Sequence, residues 1–325
     1  MDPPVKPEDD IVAMAKTKDI QRRIKSISST KRITRAMEMV EAAKMRKAVE
    51  AVLASRTYAN LGWETLMNLA AASEKRLTHP LLEPRPEIKR QALILITANR
   101  GLCGGFNSAI ISEARKITKD FENITDVILL GKKGESISNS LHVEAQFIKE
   151  ETGISLATVA PMATLVIDGF RSGRFDRILI AYTDYINAAK QVPRVKQILP
   201  LVTDPSDGAL GVLSNEDRAG LTHDYITEKA KQHLSGGGFH HEYTFEPAPS
   251  IVLDEIIPRL VAVQIYQAML ESNASEHSAR MAAMHQATKA ASDLVLELTL
   301  FYNKARQAAI TAEIAEITAG VAALE

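Results

Sequence analysis

The sequence predicts an α/β domain placed between two very long helices, which pair with each other as an antiparallel coiled coil. Both ends of the chain carry long stretches almost free of proline and glycine. The middle alternates short apolar runs with helical patterns, which is typical of βαβ units. The predicted segments of the 325-residue chain are a disordered extension (1–15), an N-terminal long helix (16–80), a central domain (90–250) with an insert (204–242), and a C-terminal long helix (251–325).

The N-terminal extension is acidic and rich in proline between Met1 and Asp10. This composition lacks the basic start and apolar run of a signal peptide, so we expect a disordered segment. Met14, just before the basic part of the first helix, is an equally good candidate for the first residue.

The N-terminal long helix is predicted from the segment between Glu8 and Thr78, which has no proline and only one glycine, Gly62. At 1.5 Å per residue, a helix of roughly 60 residues extends about 90 Å. Such a helix needs a partner, because isolated helices are only marginally stable. Its predicted inward stripe is Ile20, Ile24 and Ile27, followed after a slip by Ile33, Met37 and Val40.

The central domain is predicted to be Rossmann-like, with a largely parallel sheet. A glycine-rich turn follows its first strand, and a helical pattern then runs from Asn107 to Lys119. The predicted strands are residues 92–97, 126–130, 143–148, 177–185 and 192–199.

The C-terminal long helix is predicted from a second stretch without proline or glycine, between Arg259 and Ala319. Apolar residues recur there at steps of three and four, which predicts a coiled-coil seam. The predicted seam is Leu260, Val263, Gln267, Leu270, Ala274, His277, Met281, Met284, Thr288, Ala291, Val295, Leu298, Tyr302, Ala305, Ala309, Ala312, Glu316 and Ala319.

The glycine-rich turn from Asn99 to Phe106 lies where a phosphate-binding loop would lie, between a strand and a helix. Its spacing matches neither G-x-G-x-x-G nor G-x-x-x-x-G-K-[ST], so a tight turn with close approach of helix and strand is favoured. Cys103, the only cysteine, lacks the neighbouring base that a nucleophile needs.

The sequence also favours the absence of a metal site. The insert holds His223, His233, His240 and His241, followed by Glu242, but their spacing fits no zinc pattern. A solvated loop is the preferred interpretation.

The first helix is strongly basic, with eleven Lys or Arg from Lys16 to Lys47 in a chain whose net charge is −1. Such a segment is suited to phosphate backbones, to an anionic membrane surface, or to an acidic partner helix. Aromatic residues are not interleaved with it, which weakens single-strand nucleic-acid binding.

Motifs at both ends of the chain resemble the gamma subunit of F-type ATP synthase, of the bacterial type with an insert in the central domain. The resemblance covers about residues 15–325 apart from the insert. The segments that carry it are Ile24–Ile27, Thr30–Val40, Gly101–Asn107, Tyr243–Pro247, Glu271–Met281 and Tyr302–Thr311, with Glu313 and Glu316–Ile317. The departures are Ala98–Asn99, Lys289–Ala290 and Val321, and the insert has no cysteine for thiol regulation.

The resemblance implies a central rotor shaft formed by the two terminal helices inside a ring of alpha and beta subunits. The central domain would stand with epsilon on the membrane ring of c subunits, so that ion flow turns the shaft. Catalysis would take place on beta, with no cofactor and no metal on this chain. The implied location is peripheral, on the cytoplasmic face of the bacterial inner membrane.

The resemblance also implies roles for particular residues. Arg306 and Gln307 would form a catch that hydrogen-bonds beta, with Met37 near the same level on the opposing helix. The other implied residues are Glu276 and Arg280 for coupling along the shaft, Lys31, Arg32 and Arg35 as a basic collar, and Tyr243, Phe245 and Glu246 as a foot on the c-ring.

Two other functions remain open from the sequence alone. The chain could be a stand-alone coiled-coil scaffold with a basic arm for nucleic acid or membrane, which predicts salt-sensitive binding to polyanions. It could also be an α/β enzyme that uses the glycine-rich turn, which predicts substrate binding by the isolated chain.

Overall fold

The computed structural model describes residues 7–72, 79–150, 153–201 and 249–322. The described elements, in chain order, are α1 (Pro7–Ala72), β1 (Gln91–Ile96), α2 (Phe106–Thr118), β2 (Thr125–Leu130), β3 (His142–Phe147), α3 (Leu156–Arg171), β4 (Arg177–Tyr185), β5 (Gln191–Leu199) and α4 (Pro249–Ala322), with 3-10 turns at Lys119–Ile124 and Lys132–Asn139.

The five strands form one sheet in the order β3-β2-β1-β4-β5. The first four strands are parallel, and β5 runs antiparallel to β4 at the edge. Pro193 in β5 lies opposite Thr183, a position that suits an edge strand because proline has no N–H to donate. The five predicted strands are confirmed to within a residue at each end.

The central strands β2, β1 and β4 are buried on both faces of the sheet, and their side chains alternate between two cores. Ala92, Ile94 and Ile96 of β1 face a core that contains α3 and the first part of α4. Leu93 and Leu95 face the opposite core, which contains α2. This burial on both sides explains why β1 and β2 are continuous apolar runs in the sequence.

The bounds of the long helices correct two expectations. α1 begins at Pro7, so residues 7–15, expected to be disordered, are helical. α1 ends at Ala72, and His79 and Pro80 are not helical, so the predicted boundary at residue 80 is too late. α3, which contains both Pro161 and Gly169, was not predicted from the sequence.

The chain divides into two compact units, which we call the globular unit (Ala42–Arg280) and the terminal unit (Met1–Glu41 with Met281–Glu325). α1 and α4 each contribute to both. In the terminal unit the two helices pair antiparallel, because Thr34 contacts Thr288 while Glu38, further along α1, contacts His285, further back along α4.

The same two helices also pair antiparallel within the globular unit. Ser55 of α1 hydrogen-bonds Gln267 of α4, and a Cβ on Gly62 would lie 2.8 Å from Leu260 Cδ2. Gly62 therefore permits a close approach of the helices at a point where a larger residue would force them apart. Ala48 and Val52 pack with Leu270 and Ala274 in a small core between them.

The predicted seam of α4 is confirmed from Leu260 to Ala309, where each of its residues is buried or half-buried. After its slip the predicted stripe of α1 is wrong at Ile33 and Val40, which are 60% and 53% exposed, whereas Met37 is half-buried. Thr34 and Glu41 are buried instead. Polar residues therefore occupy inward positions of α1. For this reason the spacing of apolar residues does not show which face of the helix is buried.

Candidate functional site

A polar segment of α4, residues 271–280, lies against the ends of the strands in the globular unit. Ser272 Oγ accepts a hydrogen bond from Thr183 N–H at 3.0 Å, and Ser275 Oγ donates to the Thr183 carbonyl at 3.1 Å. β1 pairs with β4 only as far as Ala181. The two serines therefore satisfy backbone groups that the sheet leaves free beyond the end of β1.

This place is the topological switch point of the sheet. From β1 the chain continues to β2 and β3 on one side of β1, and then crosses to β4 on its other side. In open α/β sheets a crevice opens there, outside the carboxyl ends of the strands, and usually binds a ligand. In this protein the helix α4 itself fills the crevice, through residues 271–280.

Arg56 and Glu271 form a buried ion pair beside this segment. Arg56 donates from Nε and Nη2 to Glu271 Oε1 at 2.9 and 2.7 Å, and it also donates to the Tyr185 carbonyl. The second carboxyl oxygen of Glu271 accepts the Tyr185 N–H at 3.1 Å. Burial raises the pKa of Glu271 to about 7, although Arg56 beside it acts in the opposite direction.

Glu276 forms a second buried charge cluster one turn further along α4. Its two carboxyl oxygens accept hydrogen bonds from Lys149 Nζ at 2.6 Å and from Arg280 at 2.7 Å. Burial by itself would raise the pKa of Glu276, but Lys149 and Arg280 together outweigh it and hold that pKa below its usual value. Arg280 also donates to the carbonyl of Gly101 at 3.3 Å.

The glycine-rich turn is a support for α4 in this structure. Leu102 and Gly104 adopt positive φ angles of 63° and 56°, which confirms the predicted tight turn. The predicted close approach of helix and strand is wrong, because a Cβ on Gly101, Gly104 or Gly105 would meet no atom closer than 3.9 Å. Cys103 is buried there, and burial raises the pKa of its thiol.

Glu276 and Arg280 were predicted from the sequence, whereas the residues that hold them were not. Lys149 follows β3, and nothing in its neighbourhood in the sequence indicates burial. Arg56 and Glu271 were also missed as a pair, although the run of polar residues on an otherwise apolar helix face is a signal. His277, predicted to lie on the seam, is 1% exposed.

The predicted catch, Arg306 and Gln307, is exposed on α4 in the terminal unit. Of the predicted collar, Arg32 and Arg35 are exposed and Lys31 is half-buried. Exposed cations and amides on a helix are available to acceptors on another subunit.

The expected level of Met37 is wrong. The contacts of Thr34 with Thr288 and of Glu38 with His285 place Met37, which is half-buried, opposite the part of α4 around His285. Arg306 lies about 30 Å further along α4 at 1.5 Å per residue. Met37 and Arg306 therefore lie at different levels of the helical pair.

The predicted foot, Tyr243, Phe245 and Glu246, lies outside the described residues, as do the insert 204–242 and its histidines. Among the helices that the structure describes, none has an apolar stretch long enough to span a bilayer.

A group of metal-ligand type occurs at the β2–β3 edge, where Asp126, His142 and Glu144 lie close together. Asp126 already pairs with Arg90 at 2.7 Å, and Glu144 pairs with Arg174. The two arginines balance the two carboxylates, so this group is a partly buried ion-pair network.

Comparison with known proteins gives a consistent result over almost the whole chain. Residues 16–324 match the sequence profile of a family described as ATP synthase. The "ATP synthase gamma chain" of Herpetosiphon aurantiacus is 40% identical over 324 residues, which cover 96% of this chain and 99% of the relative. The gamma chain of Pelotomaculum thermopropionicum is 40% identical over 314 residues, with 96% and 100% coverage.

Solved structures show a similar fold. A chain of the Euglena gracilis mitochondrial ATP synthase, from a structure of its OSCP, F1 and c-ring, is 19% identical with a TM-score of 0.61, and 95% of each chain is covered. A chain of the rotor of the same complex gives a TM-score of 0.58 at 18% identity, with 91% of this chain and 99% of that chain covered.

Proposed function

The chain belongs to the ATP synthase gamma-chain family, and from this premise we propose that it is the central rotor shaft of a rotary ATP synthase. It couples the ion-driven rotation of a c-ring to ATP synthesis and hydrolysis at catalytic beta subunits, and it takes part in regulating ion flow. The observation that carries the proposal is identity of about 40% to gamma chains over nearly the full length of both.

The described surface supports a shaft that works inside close-fitting partners. Large apolar side chains are exposed along the part of α4 in the terminal unit, and exposed apolar patches mark interaction sites. A shaft without threefold symmetry contacts each of three identical subunits differently, and such differential contacts can bias their states. The large apolar side chains exposed on α4 in the terminal unit are Leu294, Leu296, Leu300, Phe301, Ile310, Ile314, Ile317 and Val321.

The partners in this proposal are the alpha and beta subunits of the head, the epsilon subunit and the c-ring. The chain itself is non-catalytic, and it is held at the cytoplasmic face of the bacterial inner membrane through the complex. Nucleic acid is not a partner. The alternative of a stand-alone scaffold with a basic arm is not favoured, because the relatives that match the whole chain are gamma chains.

The assembly test is co-expression of the full chain with alpha and beta subunits, followed by native mass spectrometry and an ATPase assay. We expect a particle with three alpha, three beta and one copy of this chain that hydrolyses ATP. A monomeric chain that binds polyanions and never joins the head would contradict the proposal.

The proposed catch has its own test in the assembled complex. Arg306→Ala should weaken assembly or coupled ATP synthesis by at least about tenfold, since loss of a charge-assisted interfacial contact costs a few kcal/mol. Lys289→Ala, at another exposed cation of the same part of α4, should leave both unchanged. Coupled synthesis that is unchanged in Arg306→Ala would remove Arg306 from the catch.

A further inference from the structure

Lys149 is a completely buried lysine that contacts the C-terminal helix inside the globular unit. Its side chain is 0% exposed, and its ammonium lies 2.6 Å from Glu276 Oε2 and 5.9 Å from the centre of the Phe106 ring. Moving an ammonium ion out of water costs several kcal/mol unless an opposite charge compensates it. The position of Lys149 therefore depends on Glu276, and the position of Glu276 depends on Lys149.

Glu276 links this lysine to a second cation. Arg280 lies one turn along the helix and bonds the other carboxyl oxygen of Glu276. The same arginine donates to the Gly101 carbonyl in the loop after β1. The Glu276 carboxylate thus bonds Lys149 after β3 directly and reaches the loop after β1 through Arg280, and each of these bonds is charge-assisted and correspondingly strong.

The loops themselves are connected. The Lys149 carbonyl accepts a hydrogen bond from Asn99 Nδ2 at 2.6 Å, so the segment after the edge strand β3 is tied to the turn after β1. Ser272 and Ser275 hold α4 to the end of β4. Lys149 therefore adds a third attachment of α4 to the sheet. It follows β3, the edge strand on the opposite side of β1 from β4.

These contacts resist one motion in particular. Residues 271–280 of α4 are polar except for Ala274 and Ala279, so hydrogen bonds and ion pairs rather than apolar packing fix the rotation of this segment about the helix axis. Twisting α4 would carry the Glu276 carboxylate away from Lys149 and leave a buried charge uncompensated. The cluster of Lys149, Glu276 and Arg280 therefore opposes rotation of α4 about its own axis relative to the sheet.

We propose that Lys149 is a positioning residue for rotary coupling, which holds Glu276 and thereby stiffens the attachment of α4 to the α/β domain. The inference rests on the proposed rotor function, because stiffness matters where rotation passes from the domain to the helix. It goes beyond the coupling role of Glu276 and Arg280, because it assigns that role to a residue from a different part of the chain.

The substitution that tests this is Lys149→Met. It removes the charge but keeps a flexible apolar side chain, and it leaves Glu276 paired with Arg280. Removing one partner of a buried ion pair destabilises a protein when the other charge is left alone, but here Arg280 stays bonded to Glu276 and compensates its charge. Lys132→Met is the control, because Lys132 is exposed and lies in the same unit.

The measurement uses the full chain assembled with alpha and beta subunits on a surface, with a rotation probe attached to the globular unit. In the arrested complex we expect the angular variance of the probe to rise about threefold in Lys149→Met, because one of the attachments of α4 to the sheet is lost. ATP hydrolysis should stay within about twofold of the unmodified complex, and Lys132→Met should change neither quantity.

Three results would overturn the inference or the function separately. Equal angular variance in Lys149→Met and Lys132→Met would overturn the inference alone. A Lys149→Met chain that fails to assemble would show that Lys149 serves folding, which also overturns the inference. An unmodified chain that fails to assemble with alpha and beta would overturn the proposed function, whatever Lys149 does.

Discussion

Glu271 and Glu276 lie five positions apart on the same helix, and both are buried, yet their environments move their pKa values in opposite directions. Burial dominates at Glu271 and raises its pKa to about 7 from the ordinary 4.5. At Glu276 burial is outweighed by the two cations Lys149 and Arg280, and the pKa is lowered. The number and placement of cations around each carboxylate therefore decide how it responds to pH.

The pH dependence of stability follows from these directions. Glu271 binds a proton more tightly in the folded state, so its contribution to stability is complete below pH 4.5 and is lost as pH rises to about 7. Between pH 5 and 7.5 we expect Glu271 to lower the free energy of unfolding by roughly 1–3 kcal/mol. This part of the decrease should be absent in Glu271→Gln. Urea unfolding of the full chain at both pH values, followed by circular dichroism, measures the difference.

Glu276→Gln provides the matched comparison for that experiment. The lowered pKa of Glu276 stabilises the fold above pH 4.5, and this contribution is lost as pH falls through the folded value. The substitution should therefore alter the pH dependence of the free energy of unfolding below pH 4.5. Between pH 5 and 7.5 that dependence should stay unchanged. The same change from both substitutions would contradict the distinction.

Gly131 is a glycine that the backbone requires. Its φ is 102°, and an added Cβ would overlap the Thr97 carbonyl oxygen. We expect Gly131→Ala to destabilise the full chain by about 3 kcal/mol or more, because positive φ and a backbone clash combine. Gly101→Ala, where the added Cβ meets no atom within 4 Å, should cost less than about 1 kcal/mol. Thermal unfolding of both variants tests the contrast.

Single residues were the hardest part to predict from the sequence. The buried position of Lys149 depends on Glu276, which is remote in the chain, and no local pattern contains that information. The inward positions of Thr34 and Glu41 were missed because a hydrophobic pattern assigns polar residues to the surface. The motif around Glu276 and Arg280 indicated importance, but only the structure identifies their partners.

The sheet and the long helices were predictable because their signals are long or strongly apolar. β1 and β2 are continuous apolar runs with glycine or polar residues after them, and α4 repeats its seam over many turns. α3 was missed because Pro161 and Gly169 interrupt its pattern. A proline is tolerated there because tertiary packing outweighs local helix propensity.

The pairing of α1 and α4 in the terminal unit can be tested by cross-linking. Thr34 Oγ1 lies 2.8 Å from Thr288 Oγ1, so cysteines at these two positions should form a disulfide under mild oxidation. Cysteines at Met37 and Arg306 should not, because about 30 Å of helix separates their levels. A Cys103→Ser background and intact mass, which falls by two hydrogens on oxidation, make the assay unambiguous.

The result of this cross-linking test bears on the family expectation for Met37. A disulfide between positions 37 and 306, without one between 34 and 288, would contradict the register and restore the expectation that Met37 lies beside the catch.

At the scale of the whole molecule, the two units should differ in local stability. Strands β1, β2 and β4 of the globular unit are almost entirely buried, whereas α4 from Ile310 to Val321 is exposed throughout. In the free chain we expect amides of residues 281–322 to exchange at least about tenfold faster than those of β1. Hydrogen exchange with mass spectrometry should then show increased protection of these residues after assembly with alpha and beta.

Unchanged exchange of residues 281–322 on assembly would mean that this part of α4 is not covered by the head. The sequence could predict that long helices need partners, but it could not indicate which face is left for another subunit. That face is defined only after the intramolecular pairing of α1 and α4 is known.

The pairing of α1 and α4 limits how the gene can change in length. The same number of residues separates Thr34 from Ser55 on α1 as separates Gln267 from Thr288 on α4, and these residues contact each other in matching pairs. Deletion of one codon between Thr34 and Ser55 would therefore break one of the two contacts. Both contacts would be kept only if a codon between Gln267 and Thr288 were deleted as well. Insertions and deletions should therefore be rare within residues 34–55 and 267–288 and more frequent between the long helices.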